Sequence, residues 1–174
     1  QPAVAATLLG PIQIALARVM EPRAASPLRR LRCIETLARA GVPVGVSVSP
    51  VIPFVNEPEL ERILDAAVAA GASRAFSIVL RLPWEVSPLF QQWLEQHFPE
   101  RAARVMARVR DMRGGRDNDA NFGTRMTGQG VWAQLLRQRF HKACLRSGLN
   151  RERFELDLTR FRRPAAPSAQ ASLF

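Results

Sequence analysis

Gly41-Val42-Pro43-Val44-Gly45-Val46-Ser47-Val48-Ser49-Pro50-Val51-Ile52-Pro53 is the stretch on which the fold of this chain turns. Apolar residues recur through it with only small residues between, as in a parallel strand buried on both faces. The strand spans about Val44 to Ile52 and breaks at the double-proline signature Pro50-Val51-Ile52-Pro53. Asn56 then opens a helix, and Glu59 completes a capping-box pattern with it. Leu60, Ile63, Leu64, Ala67 and Val68 form one apolar stripe, and Gly71 ends the helix. Phe76-Ser77-Ile78-Val79-Leu80 is the second strand. A helix of this length between two strands makes a right-handed crossover, so the pair is parallel.

Toward the amino terminus, Ser26 caps a helix with Pro27 in its first position. Leu31, Ile34, Leu37 and Ala38 follow at helical spacing, and Gly41 stops it. Thr7 to Met20 reads as a weak helix broken at Gly10-Pro11, so residues 1–20 form a poorly defined segment. Toward the carboxyl terminus, Leu89, Phe90, Trp93 and Leu94 form an amphipathic turn capped by Ser87-Pro88. Phe98-Pro99 breaks it, and Ala102 to Met112 resumes as a basic helix. A long polar loop from Arg113 to Gly130 precedes a last helix through Trp132, Leu136, Phe140 and Cys144, closed near Gly148. From Pro164 the tail is rich in Pro, Ala and Ser and reads as disordered. A helix leading into two strand–helix units suits a barrel or a doubly wound sheet, and no internal repeat is visible.

At 174 residues the chain is long enough for one domain with its own core. No stretch has the length and apolarity of a membrane span, and the run from Val4 to Leu16 lacks the basic flank of a signal peptide. Cys33 and Cys144 are too few for a disulfide framework or a metal cage. Both fall on apolar helical faces, so buried free thiols in the reducing cytoplasm are expected. Between Arg101 and Arg163 stand 16 Lys and Arg against 6 Asp and Glu. That stretch carries the whole net charge of +10, a field that attracts polyanions such as nucleic acid.

Ligands of α/β sheets lie outside the carboxyl ends of the strands, where Ser49 to Asn56 fall. The prolines there leave backbone groups free for a ligand, or else form a rigid turn feeding the next helix. Arg81 ends the second strand, placed either to grip a carboxylate or phosphate or to pair with Glu85 or Glu21. The Arg113–Gly130 loop has the glycines, arginines and amides of a phosphate cradle but matches neither a P-loop nor a dinucleotide fingerprint. Asp117 and Asp119 lack a third metal ligand in sequence, and His97 and His141 lack triad or zinc partners.

The string from Met20 to Gly130 resembles the carboxyl-terminal half of a radical S-adenosylmethionine protein. The subgroup is that of spore photoproduct lyase and the DNA repair photolyase-like proteins. The matching pieces are Glu21-Pro22-Arg23-Ala24-Ala25-Ser26-Pro27, Ala40-Gly41-Val42-Pro43-Val44-Gly45-Val46, Pro50-Val51-Ile52-Pro53 and Ile78-Val79-Leu80-Arg81-Leu82-Pro83. Met112-Arg113-Gly114-Gly115-Arg116 and Phe122-Gly123-Thr124-Arg125-Met126 close the set.

This resemblance implies a partial (β/α)6 barrel with S-adenosylmethionine across its mouth. Residues 21–86 would form the carboxyl-terminal half of the barrel, 87–163 a helical basic extension, and 164–174 the disordered tail. It implies cofactor contacts at Glu21, Arg23, Ser49, Pro50, Ile52, Pro53, Asn56 and Arg81. Such enzymes hold a 4Fe–4S cluster on a Cys-x-x-x-Cys-x-x-Cys loop, for which this chain has no counterpart. The chain therefore reads as a fragment of a radical lyase-like protein that lacks the cluster half and is inactive on its own. The alternative is a non-catalytic module binding nucleic acid through Arg108, Arg110, Arg113, Arg116 and Arg125. The tail residues Gln170, Leu173 and Phe174 resemble the short peptide by which bacterial proteins bind the replicative sliding clamp.

Overall fold

The computed structural model describes residues 11–152 together with 159 and 162. Within them the chain is mixed α/β and mostly helical: α1 (Pro11–Met20), α2 (Pro27–Arg39), β1 (Gly45–Val51), a 3-10 turn (Glu57–Glu59) and α3 (Leu60–Ala69) come first. β2 (Arg74–Val79), α4 (Val86–His97), α5 (Pro99–Asp111) and α6 (Gly130–Ser147) follow. The two strands form a parallel sheet.

Local chemistry accounts for most boundaries. Ser26 accepts a hydrogen bond from the Arg29 amide and Pro27 sits in the first turn of α2, as the sequence predicts. At the far end of α3, Gly71 has φ +101°, and a Cβ there would stand 2.6 Å from the Ala38 Cβ. Only glycine lets α2 and α3 approach so closely. The carboxyl end of α6 is closed by Gly148 in the left-handed conformation, φ +76°.

The Asn56 capping box does not form. Asn56 makes no cap hydrogen bond, and Glu57–Glu59 is a 3-10 turn before α3 begins at Leu60. The carboxamide bridges the preceding loop instead, accepting from the Ile52 amide at 2.7 Å and donating to the Pro50 carbonyl at 2.8 Å. Likewise α4 begins at Val86 rather than at a Ser87 cap, because Ser87 is buried and bonded to Asp117.

Gly45 pairs with Arg74 and Val48 with Ser77, but the next partners are Val51 and Val79. One extra residue is therefore accommodated in β1, where Pro50 has no N–H to give to a ladder. The extra residue resets the alternation, so Val48 and Val51, three positions apart, enter the same core. That core joins both strands to α3 and α6 through Leu60, Leu64, Ala133, Leu136 and Cys144. A second joins α1 to the α4–α5 hairpin through Leu16, Leu82, Phe90, Leu94 and Val105. Val51 and Val79 belong to the first, and their neighbours Ile52 and Leu80 to the second. Successive strand residues point opposite ways, so the strand ends thread between two cores.

Only one sheet face is fully covered. Register puts Val46 and Val48 with Ala75 and Val79 toward the helices, and Ser47 and Ser49 with Phe76 and Ile78 on the other face. Phe76 is 56% exposed there, and both serines are exposed. The strands thus alternate rather than being buried on both faces. Cys144 is buried as expected, but Cys33 is exposed, because α2 buries no residue fully. No helix among the described residues is long and apolar enough to cross a membrane.

Candidate functional site

A cleft of about 170 Å³ runs along β1, between that strand and the α1–α2 pair. Leu16, Leu31, Ile34 and Ile63 give it an apolar wall. Its polar groups come from Glu21, Arg30, Ser47, Ser49 and Asn56. The turn after α1 carries Glu21, and the first turns of α2 bring Arg30 back against it. The Arg30 guanidinium pairs with the Glu21 carboxylate and donates from Nε to the Ala25 carbonyl at 2.9 Å. Two positions apart on β1, Ser47 and Ser49 share a face, and the Ser47 hydroxyl donates to Ser49 at 2.9 Å. The cleft therefore offers a fixed anion, a fixed cation and two hydroxyls beside apolar surface.

Four of the eight residues marked as cofactor contacts, Glu21, Ser49, Pro50 and Asn56, meet in this cleft. Ile52 is 0% exposed and Pro53 is enclosed as well, so their side chains are buried at the strand end rather than lining the cleft. Arg23 is exposed and outside the cleft. Arg81 lies at the end of β2, its Nη1 3.8 Å from the Met126 sulfur, while Glu21 pairs with Arg30. Nor is the Ser49–Val55 backbone as free as the prolines suggest. Besides the Asn56 bridge, the Val51 carbonyl accepts from Leu80 and the Ile52 carbonyl from Val55 and Glu57. Arg30 and Ser47 carry no motif in sequence. A basic helix residue earns a place in a site only when its helix is packed against a strand.

The polar loop after α5 is a series of turns held from inside. Arg113 is 2% exposed, and its guanidinium donates to the carbonyls of Val79, Leu80, Thr124 and Arg125. Burial lowers its pKa from the ordinary guanidinium value, with Arg81 adding to the effect and Asp119 opposing it. Asp117 accepts from Ser87, Gln91 and Arg110. Burial works to raise its pKa, but those partners outweigh it and hold the carboxyl below its usual range. Asp119 is occupied by Thr124 and the Asn121 amide. Both acids are thus committed to loop structure, and no group of three potential metal ligands occurs among the described residues.

Of the five arginines marked for nucleic acid, Arg113 is enclosed, Arg108 pairs with Asp111 at 2.9 Å, and Arg110 pairs with Asp117 at 2.7 Å. On α6, Arg139 spans Glu57 and Glu61, and Arg146 pairs with Asp65. Arg110, Arg139 and Arg146 thus tie α5 and α6 to neighbouring segments, while the Arg108 pair lies within α5. Arg116 is exposed, and Arg125 lies 4.7 Å over the Phe122 ring. Gln170, Leu173 and Phe174 lie outside the described residues, as does the whole 164–174 tail.

A similar tripeptide lies beyond each strand. Ile52-Pro53-Phe54 and Leu82-Pro83-Trp84 both place an aromatic residue at positive φ, +60° for Phe54 and +46° for Trp84. Arg104 covers the Phe54 ring at 3.9 Å, whereas Trp84 is 88% exposed. No protein-family profile, curated protein or solved structure matches the chain.

Proposed function

We propose that this chain is the carboxyl-terminal half of a radical S-adenosylmethionine, lyase-like protein of the photolyase-related type. In this reading it supplies one wall of the S-adenosylmethionine site and leaves the iron–sulfur cluster to another polypeptide segment. The observation carrying it is the convergence of Glu21, Ser49, Pro50 and Asn56 on one cleft, with Arg30 and Ser47 beside them. Glu21 receives the ligand's ammonium group and Arg30 its carboxylate, so the ion pair in place is the complement of an amino-acid zwitterion. The hydroxyls of Ser47 and Ser49 suit a ribose, and Ile34 and Ile63 keep water from an adenine.

The cluster does not fit these residues. It needs three thiolates from one loop, and this chain has only Cys33, exposed on α2, and Cys144, buried on α6 with its thiol pKa pushed up by burial. Bound S-adenosylmethionine supplies radical chemistry only beside such a cluster, so no chemical step is assigned to this chain alone.

Titration calorimetry with S-adenosylmethionine and S-adenosylhomocysteine tests the reading. Binding of both is expected, and Glu21→Gln and Arg30→Gln should each weaken it about tenfold, the worth of one charge-assisted hydrogen bond. Absence of binding, or binding indifferent to both substitutions, overturns the assignment. Stoichiometric iron after anaerobic reconstitution overturns the half-site reading.

A further inference from the structure

We infer that the rim around the carboxyl end of β2 is a stacking platform for single-stranded nucleic acid, built from Trp84, Phe122, Arg81, Arg116 and Arg125. It shares no residue with the β1 cleft, so it stands or falls independently of S-adenosylmethionine binding.

Two segments distant in sequence make the rim, and both are tied to β2. The Val79 amide donates to the Met126 carbonyl at 3.1 Å, and Arg81 reaches the Met126 sulfur. Arg113 clamps the carbonyls of Val79 and Leu80 to those of Thr124 and Arg125 from behind. The exposed side chains therefore stand on a braced base. Trp84 is 88% exposed and Phe122 82%, two large rings left uncovered on the surface. Phe54, which also follows a proline beyond a strand at positive φ, is half-buried under Arg104, whereas Trp84 is bare.

The charge around these rings selects the occupant. Arg125 lies over Phe122 and presents a guanidinium plane beside the ring. No carboxylate pairs with Arg81, Arg116 or Arg125 among the described residues, although Glu85 follows Trp84 in the turn. The Nε atoms of Arg81 and Arg125 are covered yet have no hydrogen-bond partner. Flat apolar rings among unpaired guanidiniums match a ligand with stacked planar bases and a phosphate backbone. An unpaired strand offers both, whereas a duplex hides its base faces.

Fluorescence anisotropy with labelled oligothymidylate, oligouridylate and a duplex of equal length tests this on the full chain. Both single strands are expected to bind more tightly than the duplex, with quenching of tryptophan emission that is lost in Trp84→Phe. Trp84→Ala and Phe122→Ala should each lower single-strand affinity about tenfold, and Trp84→Phe should recover most of it. Arg116→Gln with Arg125→Gln should reduce the logarithmic salt slope by about 1.4. The rings are exposed, so their removal leaves both cores intact, which circular dichroism verifies. Equal affinity for duplex and single strands, affinity unchanged in Trp84→Ala, or binding to phosphatidylserine vesicles but to no oligonucleotide each overturns the proposal.

Discussion

Arg113 is a basic residue whose charge faces inward. Its guanidinium serves four backbone carbonyls from two segments, a geometry that suits a planar fork of donors and not a point ammonium. Removing it takes the donor from the Leu80 and Arg125 carbonyls, while Thr124 keeps the Thr127 and Gly128 amides, and that loss costs far more than an exposed arginine would. Arg113→Met is expected to lower stability by about 3 kcal/mol in urea denaturation, and Arg113→Lys to recover less than half of it. A loss below about 0.5 kcal/mol, typical of a surface site, would contradict this account. In sequence Arg113 is one arginine among several before a glycine pair, indistinguishable from Arg116. The difference arises because the turn brings one of them against the end of β2.

At the scale of elements, β2 would expose an unpaired edge but for side chains and loops that close it. The Asn150 carboxamide accepts from the Ala75 amide at 3.0 Å and donates to the Ala75 carbonyl at 2.8 Å, acting as one residue of a third strand. Asn150 does so at φ +59°, a conformation asparagine tolerates better than most residues. Asn150→Gly should lose about 1–2 kcal/mol from the two hydrogen bonds, and Asn150→Ala about 1 kcal/mol more from the left-handed backbone. Equal losses in the two variants, measured by thermal denaturation, would show that the backbone conformation is not maintained there. Helix caps and strand cores were legible because they depend on neighbours within a turn or two, as Ser26-Pro27 and Gly148 illustrate. Asn56 misled because a side chain that can cap a helix can equally bridge the loop before it, and the choice depends on where Pro50 lies.

Across the whole molecule, the division at residue 86 marks a change of composition rather than a break in packing. Both cores draw on residues from either side of it: Met112, Leu136 and Cys144 pack with Val48 and Val51, and Leu94 and Val105 with Ile52 and Leu82. Trp132 packs against the first core and Trp93 against the second, so each reports on one of them. With Trp84 replaced by Phe, single-tryptophan versions are expected to give coincident urea midpoints, as in one cooperative unit. Separated midpoints would mean that the two cores unfold independently of each other. By itself the sequence determined the parallel pair, its crossover helix, most caps and the location of the charge excess, because periodicity and turn chemistry act locally. Only the tertiary structure decided which charges remain available. Ion pairing and burial depend on residues such as Arg139 and Glu57 meeting across distant parts of the chain, and the same packing set Arg30 against Glu21 and left Trp84 bare.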